Sequence, residues 1–157
     1  MENGLKQEVT ILIAEDDDGH AELICDNLRE SGLHNPIIRF SNGQEALDFF
    51  FGPPLGDLPR REHGRAYMLL LDIRMPKVDG VEVLKQIKND PELKNMPVIM
   101  LTTTDDPREI RNCYNLGCSC YVTKPVDYQK FSEMLTRLGL FLLVVKVPNL
   151  NGSKVGS

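Results

Sequence analysis

Four apolar runs in this sequence end in residues that could do chemistry. Val9-Thr-Ile-Leu-Ile-Ala14 ends in Glu15 and Asp16, and Met68-Leu-Leu-Leu71 ends in Asp72. Pro97-Val-Ile-Met-Leu101 ends in Thr102, and Cys120-Tyr-Val-Thr123 ends in Lys124. Carboxylates brought together repel, which raises their proton affinity and costs stability. A divalent cation offsets that repulsion, and hard oxygen ligands with open water positions suit magnesium. Lys124 adds a fixed positive charge and Thr102 a hydroxyl donor. Such a set meets the needs of phosphoryl transfer to a carboxylate: cation and lysine neutralise the moving charge, and an aspartate is the nucleophile. A plainer reading makes Asp72 a cap for the following helix. The acids and hydroxyls at the other run ends count against it.

The elements that would position these groups can be read in order. The run to Ala14 is a β-branched, buried strand, and Asp17 or Asp18 caps the helix after it. That helix covers Gly19 to Arg29, with Leu23, Ile24 and Leu28 on one face, and Ser31-Gly32 ends it. Pro36 to Phe40 is a short strand, and Gly43 to Phe51 a helix with Ala46, Leu47 and Phe50 inward. A polar loop, Gly52 to Arg65, is long for a compact domain. Its Arg60, Arg61 and Arg65 near His63 read as a solvated loop rather than an anion site. Met68 to Leu71 lacks alternation, as a strand buried on both faces does. Pro76 and Asp79-Gly80 turn the chain into a helix from Gly80 to Lys88. The strand ending at Leu101 leads to a helix opened by Asp105, Asp106 and Pro107 and stopped at Gly117. Cys120 to Thr123 is the fifth strand. A last helix from about Asp127 carries Phe131, Met134, Leu135 and Leu138. Strand and helix thus alternate five times. Right-handed crossovers then give an α/β, doubly wound, mostly parallel five-stranded sheet. In such a sheet the strands' carboxyl ends form one rim, where ligands bind.

Composition narrows the function classes. With 157 residues, 41% hydrophobic and 26% charged, the chain has the size and balance of one globular domain. A net charge of -5 argues against broad nucleic-acid or anionic-membrane binding. No apolar run approaches a membrane span, and MENGLKQEVT lacks a signal peptide's regions, so a cytoplasmic location is expected. There Cys25, Cys113, Cys118 and Cys120 should stay reduced and serve as small hydrophobes rather than as a metal site.

As a set, these residues resemble the response-regulator receiver domains of two-component signalling. The matching residues are Glu15-Asp16, Asp72-Ile-Arg-Met-Pro with Asp79-Gly80, Thr102, and Lys124-Pro125, in order and over roughly Val9 to Leu138. The resemblance implies the flavodoxin-like (CheY-like) strand order 2-1-3-4-5. It implies that Asp72 takes a phosphoryl group from a partner sensor histidine kinase. Asp16, Asp72 and the backbone carbonyl of Arg74 would bind magnesium directly, and Glu15 through a metal-bound water. Thr102 and Lys124 would contact the phosphoryl oxygens. A cis bond at Lys124-Pro125 is expected from the family, and proline makes one accessible. A switch is implied too: Thr102 moves toward the phosphoryl group and an aromatic residue, here Tyr121, turns inward behind it. Thr103 stands where receivers mostly carry Ala or Gly. Arg74 and Thr104 lie at positions that tune hydrolysis. The loop before the third strand, the Thr102-Thr103-Thr104 run and the ending Phe141 to Pro148 are similar to the stand-alone regulators of bacterial phytochrome kinases.

That ending sets the remaining expectations. Residues 1–8 form an N-terminal arm, 9–148 the receiver domain, 139–148 an apolar extension, and 149–157 a disordered tail. The extension is apolar on every side and needs a second surface. It can pack back on its own domain or form a homodimer across the fourth helix, fifth strand and fifth helix. The dimer is the expectation taken here. With no output domain in the remaining residues, the expected role is a phosphoacceptor switch, not an enzyme, signalling by protein contacts. A haloacid-dehalogenase-type phosphohydrolase fits worse, because that family wants a second acid where Arg74 stands. A flavodoxin-like cofactor module wants backbone donors where this rim is acidic.

Overall fold

A computed structural model describes residues 8–150. The expected 1–8 arm and the 149–157 tail therefore fall largely outside the described residues. Five strands alternate with five helices: β1 (Val9–Ala14), α1 (Asp18–Glu30), β2 (Ile37–Phe40), α2 (Gly43–Phe51), β3 (Ala66–Leu71), α3 (Gly80–Lys88), β4 (Val98–Thr102), α4 (Pro107–Leu116), β5 (Cys120–Thr123) and α5 (Tyr128–Leu142). The strands are parallel, in the order β2-β1-β3-β4-β5. The expected fold is therefore the observed one.

Side-chain alternation along the strands builds two cores. Ile11, Ile13, Met68, Leu70, Ile99 and Leu101 face the layer of α1 and α5. Leu12, Ala14, Leu69, Leu71, Val98 and Met100 face the layer of α2, α3 and α4. A strand used on both faces cannot alternate with polar residues, which is why these runs are apolar throughout.

Register brings the run ends together. Ala14 pairs with Leu71, so Glu15 and Asp72 come next on neighbouring strands. Thr102 pairs with Thr123, so Lys124 lies one residue beyond. Each helix then starts on a side-chain cap: Asp17, Asn42, Asp79, Asp106 and Asp127 each accept a backbone N–H of the first turn.

The last helix is longer than the sequence suggested. It runs through Gly139 to Leu142. A Cβ at position 139 would collide with the Ser31 side chain, so this glycine serves close packing of α5 on α1 rather than a helix stop. Beyond it, Leu142 and Val147 are buried in the α1–α5 core and Leu150 in the other core. The Leu150 backbone N–H donates to the Arg65 carbonyl at 3.3 Å. The extension thus packs back on its own domain through Leu142 and Val147, and Leu150 of the expected tail is buried as well rather than disordered. Leu140, Phe141, Leu143 and Val144 remain exposed. Among the described residues no helix is long and apolar enough to cross a membrane.

Candidate functional site

Glu15, Asp72 and Lys124 are all buried at the carboxyl rim, with 2%, 8% and 3% of their surfaces exposed. Lys124 Nζ donates to Glu15 Oε1 at 2.5 Å and to Asp72 Oδ2 at 3.0 Å. Burial pushes the Glu15 carboxyl above its usual range, and the Lys124 ammonium opposes that rise. Asp16 is exposed beside them. Carboxylate oxygens of Glu15, Asp16 and Asp72 lie within 4.8 Å of one another. This is a hard-oxygen donor set of the kind that suits magnesium, with one acid open to solvent and the others held inside. The residues therefore fit the cation the family implies.

The loop after β3 holds Asp72 by its backbone. Asp72 N–H donates to the Ala14 carbonyl at 3.1 Å, and Asp72 Oδ1 accepts the Ile73 N–H at 2.7 Å. A Cβ on Gly80 would strike the Asp72 carbonyl, so only glycine lets α3 begin against this loop. Val78 N–H donates to the Pro76 carbonyl at 2.9 Å around Lys77, whose φ is 72°. That is a positive-φ γ-turn, a strained conformation held by its surroundings. Arg74, two residues after Asp72, reaches Thr104 Oγ1 at 3.3 Å and so ties this loop to the one after β4.

Thr102 is fully buried, and its hydroxyl oxygen accepts the Thr104 N–H at 3.5 Å. Thr103 is exposed. Lys124 N–H donates to the Thr102 carbonyl at 2.7 Å, which fixes the lysine backbone beside β4. Tyr121 packs against the α2–α3–α4 core, and its hydroxyl donates to the Thr104 carbonyl at 2.6 Å. Burial pushes this phenol up to about 12. In this structure Tyr121 is therefore turned inward. The Lys124–Pro125 bond differs from expectation, since no cis peptide occurs among the described residues. Trans is the lower-energy isomer even before proline.

Two residues at the rim were not foreseen. Arg39 on β2 donates through Nε and Nη2 to the Glu15 carbonyl, at 3.0 and 2.7 Å, and through Nη1 to Asp18 at 2.8 Å. It clamps the acidic loop after β1. His20, in the first turn of α1, places Nδ1 3.1 Å from Lys124 Nζ. A cap at Asp17 puts that turn at the rim, so the cap was the signal available. The arginines of the 52–65 loop are committed elsewhere, as a structural loop requires. Arg60 bonds the Pro53 and Pro59 carbonyls, Arg61 the Phe50 carbonyl and Glu92, and Arg65 bonds Glu62.

Comparison with known proteins agrees with this geometry. The family model described as response regulator receiver domain matches residues 11–136. A probable methanogenesis regulatory protein, FilR2 of Methanothrix harundinacea, is 37% identical over 130 residues, covering 82% of this chain and 79% of that protein. Response regulator Rcp1 of Synechocystis is 32% identical over 133 residues, covering 85% of this chain and 88% of that protein. Among solved structures, a response regulator receiver domain from Rhodospirillum rubrum superposes with a TM-score of 0.82 at 46% identity, over 89% of this chain and 97% of that one. The Mn(2+)-bound form of Rcp1 gives 0.79 at 31% identity, over 88% and 98%. A model match across most of the chain, with relatives above 30% identity along the same span, makes this protein a member of the response-regulator receiver family, whose members are signalling proteins.

Proposed function

We propose that this chain is a single-domain response regulator that accepts a phosphoryl group on Asp72 from a sensor histidine kinase. The observation that carries this reading is the Lys124 ammonium held between the buried carboxylates of Glu15 and Asp72. Asp72 supplies the attacking oxygen. Lys124 turns from the carboxylates to the incoming phosphoryl oxygens, and the Thr102 hydroxyl donates to another of them. Asp16, Asp72 and the Arg74 carbonyl would hold magnesium, with Glu15 acting through water. Bound there, magnesium supplies positive charge against the oxygens of the transferred group.

The switch follows from the same contacts. When Thr102 donates to the phosphoryl group, its bond from the Thr104 N–H changes. The Tyr121 hydroxyl rests on that residue's carbonyl, so the fifth strand feels the change. The output is a protein contact made by the α4–β5–α5 face, where Tyr114, Val126 and Tyr128 are exposed. A kinase of phytochrome type, acting in the cytoplasm, is the donor suggested by the features shared with the stand-alone regulators of phytochrome kinases, the Thr102-Thr103-Thr104 run and the Phe141 to Pro148 ending. We also place a homodimer contact at that face and the extension, through Leu140, Phe141, Leu143 and Val144. Residues 9–148 then act as one receiver unit, with 139–148 as its appendage.

The test is phosphorylation by acetyl phosphate in magnesium chloride, followed by intact-mass measurement. The parent should gain one phosphoryl group, and Asp72→Asn should gain none while keeping its circular dichroism spectrum. Undiminished labelling of Asp72→Asn would sink the assignment.

A further inference from the structure

A lysine ammonium has three N–H donors and no acceptor. Two donors of Lys124 go to the carboxylates already described. The third faces His20 Nδ1 at 3.1 Å. That contact requires an unprotonated Nδ1, and so the tautomer with hydrogen on Nε2. The imidazole is not a free-swinging side chain. Its backbone N–H is bound by the Asp17 carboxylate at 2.9 Å. Its ring meets Phe131 of α5 edge-on, with centroids 5.5 Å apart and planes at 85°. The ring is thus held at the rim from two sides, with 38% of the side chain exposed.

We propose that His20 is a positioning residue for phosphoryl transfer: it draws the Lys124 ammonium toward α1 and keeps it from settling fully on Asp72. The Nδ1 of His20 competes for the ammonium with Glu15 Oε1 and with Asp72 Oδ2, the latter at 3.0 Å. In the transfer an Asp72 oxygen forms a bond to phosphorus. The bond from phosphorus to the donor's leaving atom breaks, and the electron pair departs with that atom. Asp72 Oδ1 already accepts the Ile73 N–H, and Oδ2 accepts from Lys124. A lysine bound more tightly to Oδ2 leaves the nucleophile less electron density to donate. An acceptor on the opposite side of the ammonium weakens that hold without removing the charge. His20 therefore acts through Lys124, and the proposal rests on Asp72 being the phosphoacceptor.

The experiment compares the full chain with His20→Leu and His20→Gln. Leucine removes the acceptor, whereas glutamine keeps an amide oxygen. With acetyl phosphate and magnesium chloride, His20→Leu should be labelled about five-fold more slowly, the factor set by losing one hydrogen bond of ordinary net worth. Its magnesium affinity by calorimetry and its melting temperature should stay near the parent's. His20→Gln should recover most of the rate. In the parent, long-range proton–nitrogen NMR should show the His20 imidazole with its hydrogen on Nε2. Parent-like labelling of His20→Leu, equal loss in both variants, or hydrogen on Nδ1 would each overturn the proposal. Failure of the underlying reading looks different: the parent itself would take no label, or Asp72→Asn would take it normally, and the positioning role would fall with it.

Discussion

At the carboxyl end of the strands, Glu15 and Asp72 are buried within hydrogen-bond distance of the buried Lys124 ammonium. At the amino end, Leu142, Val147 and Leu150 close the sheet with hydrocarbon, tied by one backbone bond to Arg65. Both ends exclude water, but they do so at different energetic cost. Burying apolar surface is favourable by roughly 25 cal/mol per Å². Burying ionised groups is unfavourable unless each is paired, and removing one partner leaves the others exposed to the full penalty. The upper rim is therefore where burial costs the molecule stability, and the lower rim is where it regains some.

The comparison can be broken most directly at Lys124. In EDTA at pH 8, Lys124→Met should lose about 3–5 kcal/mol of stability in urea, because two buried carboxylates lose their cation. Magnesium chloride should restore part of that loss. Circular dichroism is the suitable probe, since the chain has no tryptophan. A variant as stable as the parent in EDTA would mean that the upper rim is not strained. At the lower rim, Leu150→Ala should cost about 2 kcal/mol, the low end for a buried leucine. Its labelling by acetyl phosphate should be unchanged; a matching loss of labelling would show that the two ends are not separable.

Tyr121 offers a smaller test, with its sign set by pH. Its phenol is held at about 12 against an ordinary 10.0, so the fold favours the neutral form. The stabilisation is full below pH 10 and is lost as pH rises from 10 toward 12. Tyr121→Phe should cost about 1 kcal/mol at neutral pH, the net worth of one hydrogen bond. It should also flatten the alkaline fall in melting temperature; an unchanged fall would put the titration elsewhere. The smallest effect on stability belongs to Phe141→Asp with Val144→Asp. These exposed changes should stay within about 0.5 kcal/mol each. Light scattering should show the pair converting a dimer to a monomer, and a parent that is already monomeric would remove the contact.

How much was legible in the chain depended on punctuation and on distance. α2 and α3 were readable to the residue because Asn42 and Asp79 cap them and glycine opens them. The convergence of Glu15, Asp72, Thr102 and Lys124 was readable because each follows an apolar run in a parallel sheet. The end of the last helix was not legible, since the stretch from Gly139 is apolar on every side and shows no helical face, and the glycine's close contact with Ser31 depends on a partner far along the chain. His20 and Arg39 were missed because their roles depend on partners far along the chain. Lys124 lies 104 residues from His20, and Arg39 binds Glu15 from a neighbouring strand. The cis bond before Pro125 was a family expectation, and nothing in the residues themselves required it; the bond is trans.

The course of the final segment has a practical consequence. β3 spans six residues, so the floor of the sheet lies roughly 20 Å from Asp72. A fluorophore or affinity handle joined beyond Leu150 would emerge on that far side. It would leave the rim that holds Glu15, Asp72 and Lys124 unobstructed.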